Sequence, residues 1–453
     1  MRKSAFVKAR TDAIEVERSA IIRSAAACLI GTFVLRMAAA VMGNMVHLYF
    51  AKIDRELFPI SFTMRSTINA AFFLPELIGS PLLGSWSDKY GRRLFILLGP
   101  LTGAIAVQIT ALTTLLPLLA LTRFLEGLST ASAIPATLGY LSALTSRDEV
   151  LRARVMGLFE VATFGGTISG ILLGGPLFDL FQNHAFTFNS LIYLASLGIL
   201  YFGMLEGRDR ATAPVSDTSR TLVRGLRAFG SALEHAYGGI RTALTSGYVW
   251  RFAPAWLAIN MLPGLWINNV TGQVVNASDK FPDQLIFGIL GDVPHPDTTI
   301  SLAGGVVLGL FTLGVLIWTL LINRFRRTSL MLFCASGLPV IVGALYLVNH
   351  TATAQDPLIP LYLGVAGLAL MVVSGFTPAA LTYLAEITEH SPVNRGAIMG
   401  LYTVLFGLGQ FLGEFFGGPF GDWRGVDGLL VFTLILGLIA ISAVALLSFS
   451  ERS

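Results

Sequence analysis

The chain has 453 residues, of which 54% are hydrophobic and 13% charged, with a mean hydropathy of +0.70. Soluble globular domains carry about 25% charged residues, so this composition leaves too little polar surface for a water-soluble body and identifies a polytopic membrane protein. A net charge of +4 and a pI near 9.1 would suit a nucleic-acid binder, but the basic residues collect in short loops on one side of a membrane, and no nucleic-acid partner is expected.

A bilayer core about 30 Å thick needs about 20 apolar residues per helix. Backbone groups in lipid must be satisfied internally, so each such run is read as a helix. In chain order the runs are 24–50, 60–83, 94–113, 115–143, 155–178 and 189–205, then 250–275, 300–322, 329–348, 358–386, 397–419 and 428–448. This predicts an all-α membrane protein of twelve transmembrane helices in three segments: a six-helix bundle at 1–205, a cytoplasmic linker at 206–249 and a second six-helix bundle at 250–453. The opening MRKSAFVKARTDAIEVERSAIIR has no apolar core and Arg36 interrupts the first run, which argues against a cleaved signal peptide.

Orientation follows from Lys and Arg. With both termini cytoplasmic, 24 of the 31 fall on the inner side and five (Lys52, Arg55, Arg65, Lys280, Arg424) on the outer. The opposite orientation would invert this bias. In the linker, Leu222, Leu226, Phe229, Leu233, Tyr237, Ile240 and Leu244 follow three-four spacing, as a helix lying on the inner leaflet would. Cys28 and Cys334, both in apolar runs, read as small buried hydrophobes. No metal or cofactor pattern occurs: there is no Walker loop, no CxxC and no His-rich cluster. GLGQFLG (407–413) lies within a span and is a packing pattern.

An ionisable side chain at mid-bilayer costs at least about 2.5–3.5 kcal/mol, so it is functional by default. The first span carries Arg36, with Ala40, Gly43 and His47 on its stripe and Asn44 beside it. The second carries Asn69, Glu76 and Ser80, and the fourth Arg123, Glu126, Gly127 and Thr130. Together they imply a wet cavity. Arg36 either pairs with Glu76 or holds an anionic solute, Glu76 is a candidate proton site, and Glu126 is close enough to pair with Arg123. His47 reads as a boundary residue near the outer end. In the second half the mid-depth polar groups are neutral: Asn260, Asn268, Asn269, Gln273 and Gln410, beside Trp256, Trp266 and Trp318. Arg36, Asn44, Asn69, Asn260, Trp266, Asn269 and Gln410 are the candidate substrate contacts. Pro254, Pro263 and Pro378 are candidate kinks.

The halves are related. Residues 134–179 align without gaps to 377–422 at a constant offset of 243, with 18 of the 45 positions from Pro135 identical. Pro135, Tyr140, Arg152 and Asp179 meet Pro378, Tyr383, Arg395 and Asp422. Gly166, Gly170 and Gly174 recur every fourth residue in the fifth span, as Gly409, Gly413 and Gly417 do in the eleventh, a spacing that suits close helix contact.

Between the second and third spans, Gly84, Asp88, Gly91, Arg92 and Arg93 form G-x-x-x-D-x-x-G-R-R. In a chain of twelve spans and two parallel repeats, this resembles the loop 2–3 signature of the major facilitator superfamily, and the resemblance covers essentially the whole chain. It implies an inner gate, with Asp88 meeting the start of the eleventh span near Arg395–Met399 when the inner side is closed. Arg123-Phe-Leu-Glu126-Gly127 resembles the family's R-x-x-[QE]-G motif, which implies proton coupling or cohesion of the cavity. The family's antiporters carry G-x-x-x-G-P-x-x-G-G in the fifth span; here Gly170 and Gly174 are followed by Gly175-Pro176-Leu-Phe-Asp, so the final pair is missing.

The expected activity is secondary transport by alternating access, not enzyme catalysis. A small amphipathic organic solute would leave the cell in exchange for protons, with Glu76, Arg123 and Glu126 in coupling. The alternatives are a symporter or uniporter for an organic anion held by Arg36, or a non-transporting receptor or scaffold. The protein is expected to act as a monomer in the cell membrane.

Overall fold

The computed structural model describes residues 2–205, 247–268, 281–286, 296–389 and 395–450. The linker helix, Asn269 and Gln273 lie outside these residues. The described chain is almost wholly helical: α1 (Arg2–Glu56), α2 (Phe62–Ala70), α3 (Ser80–Tyr90), α4 (Arg92–Leu112), α5 (Leu116–Leu144), α6 (Glu149–Phe181) and α7 (His184–Gly203) come first. Then follow α8 (Gly247–Pro263), α9 (Pro296–Leu321), α10 (Arg327–Ala335), α11 (Gly337–Asn349), α12 (Ile359–Val373), α13 (Phe376–Glu389) and α14 (Arg395–Ser450). Among the described residues, eight stretches are long and apolar enough to cross a membrane. One of them, Val404–Phe449, runs through a two-residue reversal in α14 at Arg424 (φ −146°) and Gly425 (φ +58°).

Three apolar runs are broken, each by a proline acting four residues upstream. Proline has no N–H for the i−4 carbonyl and its ring crowds that carbonyl. Pro75 thus ends α2 at Ala70, with a π-helical turn at Pro75–Gly79 before α3. Pro339 separates α10 from α11 at Ser336, and Pro378 separates α12 from α13 at Ser374–Gly375. A second π turn, Gly264–Asn268, follows Pro263. Pro254, by contrast, sits inside continuous α8.

Apolar side chains sort mostly by half. Two buried clusters draw only on residues 21–205, and a third only on residues 252–447. A fourth, small cluster mixes the halves: Phe62, Ile300, Val426 and Leu430. The halves also meet along two helix pairs, α2 with α14 and α6 with α9. These contacts gather at one end of the molecule, where Tyr49 donates to the Thr113 carbonyl and Gln284 bridges Arg424 O and Val426 N.

Candidate functional site

The break between α2 and α3 sets the site's geometry, and α5 covers it. The Arg123 guanidinium lies 5.0 Å from the centre of the Phe72 ring and pairs with Glu126 one turn on. Both side chains are at most 5% exposed. Gly127 stands where the broken helix crosses, so close that a Cβ there would lie 1.9 Å from the Phe72 carbonyl oxygen. Thr130 donates to Glu76 Oε1 at 2.5 Å. Residues 123–130 therefore grip residues 72–76, and Gly127 is a steric requirement of that grip.

Not every polar atom in this cluster is satisfied. Glu126 Oε1 and Arg123 Nε have no hydrogen-bond partner among the described residues. Burying charge is costly unless it is fully paired, so each of these two atoms leaves part of its hydrogen-bonding capacity unmet in a buried place.

Arg36 approaches from α1, half-buried, within electrostatic reach of Glu76, Glu160 and Tyr193. Among the described residues no ion pair joins it to Glu76, whose carboxylate is engaged by Thr130 instead, and Arg36 Nε has no hydrogen-bond partner. The guanidinium is thus held near two carboxylates without being consumed by either.

The other candidate contacts divide. Asn44 donates to Ile171 O at 3.0 Å and to Ser301 Oγ at 2.6 Å, stitching α1 to α6 and α9. Asn69 meets His47 Nδ1 at 3.1 Å, so His47 is a buried partner within the first half. Asn260 donates to the Trp256 carbonyl of its own helix at 2.7 Å, and Trp266 to Thr433 Oγ1 at 2.8 Å. The Gln410 side chain is half-buried on α14. Phe72, Tyr193 and Ser301 escaped the sequence reading, because an aromatic or a serine in an apolar run carries no signal of its own.

At the opposite end from the inter-half contacts, Asp88 accepts from Arg92 at 2.6 and 2.8 Å, one turn away across Gly91. Asp88 is exposed, and the side chains of Arg395–Met399, the gate partner that the resemblance implies, lie outside the described residues. Gly91 has φ +102°, a conformation that side-chain-bearing residues rarely adopt. Arg93 donates to the Tyr201 carbonyl at 2.9 Å and stacks over its ring, and a Cβ on Gly84 would lie 3.3 Å from that of Pro135.

The spaced glycines face helices of their own half. Cβ atoms on Gly166, Gly170 and Gly174 would approach α1 within 2.4, 2.3 and 2.9 Å, at Phe33 O, Met37 O and Asn44 Cβ. Those on Gly409 and Gly413 would approach α8 within 2.7 and 1.9 Å, at Asn260 and Met261. Gly417 is buried on the same helix as the latter two.

Comparison with known proteins agrees with this arrangement. The chain is 22% identical over 366 residues to Multidrug resistance protein 1 of Bacillus subtilis (strain 168), covering 78% of this chain and 79% of that protein. It is 34% identical over 125 residues to Multidrug resistance protein 2 of the same organism, but there the alignment covers only 28% of this chain and 31% of that one. In fold it is similar to the crystal structure of the nucleoside transporter NupG, with a TM-score of 0.66 at 13% identity, covering 94% of this chain and 99% of that one. The protein is a multi-pass membrane transporter and not an enzyme. A broken second helix gripped by R-x-x-E-G, the loop signature around Asp88 and the family profile matched over residues 28–291 converge: the chain belongs to the Major Facilitator Superfamily.

Proposed function

We propose that this protein exports a small amphipathic organic solute in exchange for protons, by alternating access between two bundles. Twelve spans form the bundles at 1–205 and 250–453, joined by the linker at 206–249, with both termini cytoplasmic. Three of the spans are interrupted stretches, α2 with α3, α10 with α11 and α12 with α13, and two more are the arms of α14. The observation that carries the reading is the buried Arg123–Glu126 pair with its orphaned Oε1, one turn from Thr130, which donates to Glu76. Protonation of Glu126 would loosen Arg123 from its partner, and Arg123 stacks on the break in the second span. Proton arrival and helix geometry would then be linked through one guanidinium. The multidrug-resistance names of the relatives support an efflux direction and a solute with apolar surface.

Asp88 bound to its own Arg92, with the halves joined at the far end, supports an inward-open state. In the proposed cycle the Gly84–Arg93 gate opens in this state. The test is flux in proteoliposomes under an imposed pH gradient, with ethidium as the reporter cation. Efflux should follow the gradient, and Glu126→Gln should uncouple it while leaving downhill movement. Flux indifferent to the gradient in the unsubstituted protein would overturn proton coupling.

One observation favours a second reading. Arg36 forms no ion pair with Glu76 and retains an unbonded Nε. An organic anion held there would make the protein a symporter or uniporter, and Arg36→Ala would then abolish anion binding.

A further inference from the structure

Asp179 lies in the last turn of α6, and Asp422 lies at the corresponding place in the repeat, 243 residues on. Each carboxylate leaves its own half and caps the start of the second transmembrane stretch of the other half. Asp422 accepts from Phe62 N and Thr63 N, both at 2.9 Å, and from Thr63 Oγ1 at 2.5 Å. Asp179 accepts from Thr298 N at 3.0 Å and from Thr298 Oγ1. The two contacts are related by the same symmetry as the repeat.

The glycine four residues before each aspartate makes the approach possible. A Cβ on Gly175 would lie 2.2 Å from Asp297 O and Ser301 Oγ. A Cβ on Gly418 would lie 2.7 Å from Thr63 Cα and Ser66 Oγ. These glycines also correspond at the 243-residue offset, so GGPLFD and GGPFGD each supply a recess and a cap. Between the two caps lies the mixed apolar cluster of Phe62, Ile300, Val426 and Leu430. A carboxylate at a helix N-terminus gains from the free amides and the helix dipole, and charge-assisted bonds are the strong ones. One further acid, Asp297, faces the Asp179 carboxylate, so the Asp422 contact is the cleaner of the two.

We propose that Asp179 and Asp422 are paired positioning residues that lock the outer mouth of the transporter, each holding the opposite bundle by the head of its second span. This rests on the reading of alternating access given above. The bonds exist only while the outer ends touch, so they bias the equilibrium toward the inward-open state and must break once per cycle. They would complement the single gate at Asp88, which has no equivalent acid in the matching NRFRRTSL loop of the second half.

The experiment is double electron–electron resonance on the full chain in nanodiscs, with Cys28 and Cys334 replaced by alanine. One pair of spin labels reports the outer side (Leu115→Cys with Leu358→Cys) and another the inner side (Val150→Cys with Phe325→Cys); all four positions are exposed. Asp422→Asn should shift the ratio of outer-closed to outer-open populations by about tenfold, and Asp422→Asn with Asp179→Asn by up to about a hundredfold. The inner pair should close as the outer pair opens. Thr63→Val, which leaves both carboxylates in place, should give a smaller shift in the same direction. Two interconverting populations whose ratio none of these variants moves would overturn the latch and leave alternating access standing. A single population on both sides, unmoved by pH or ethidium, would overturn alternating access and the latch with it.

Discussion

Gly127 and Phe72 are in van der Waals overlap distance of any added carbon: a Cβ at 127 would sit 1.9 Å from the Phe72 oxygen. That oxygen belongs to backbone at a proline-induced break, which cannot swing aside like a flexible side chain. Gly127→Ala should therefore lower stability by about 1–3 kcal/mol. The melting temperature in detergent and the ethidium flux should fall together, and an unchanged melting temperature would contradict the grip of α5 on the break.

Glu126 and Arg123 are a buried pair, so removing one partner strands the other. Glu126→Gln alone should cost about 3–5 kcal/mol, whereas Glu126→Gln with Arg123→Met should recover much of it, because both charges are gone. A double-mutant cycle on chemical denaturation measures this coupling. The double variant should regain stability and still show no response to a pH gradient, which separates cohesion from coupling.

Gly91 is held at φ +102° between Asp88 and Arg92. Gly91→Ala should cost about 1–2 kcal/mol from backbone strain. The Asp88–Arg92 bond crosses this turn, so the spectral mobility of a spin label at Tyr90 should rise in the variant.

Asp54 anchors the other end of the first half, accepting from Ile60 N at 2.6 Å and pairing with buried Arg65 at 2.7 Å. Asp54→Asn should cost about 2–3 kcal/mol, below a fully buried pair because the Asp54 side chain is 18% exposed. Thermal unfolding with Arg65→Leu as companion checks this: the two losses should be far from additive.

The helices were legible because their signal is local: apolar runs of span length, bounded by charge. Pro378 was readable as a kink, while Pro75 and Pro339 act by the same carbonyl mechanism and passed unremarked. The Arg123–Glu126 pair was readable because three residues on a helix fix proximity. Partners set by tertiary packing were not. Glu76 is met by Thr130 rather than Arg36, and Asn44 reaches Ser301 across the halves, a choice no spacing along the chain encodes. Asp179 and Asp422 could be matched to each other by the 243-residue offset, yet nothing in the repeat names Thr298 and Thr63.

The reversal at Arg424–Gly425 occupies only two residues, and Gln284 clasps it from both sides. A strap with no slack cannot absorb a swing of one arm of α14, so torque on that arm is delivered to the other undiminished. Lengthening the strap by a few flexible residues would decouple the arms, leaving one free to move while the other stayed still.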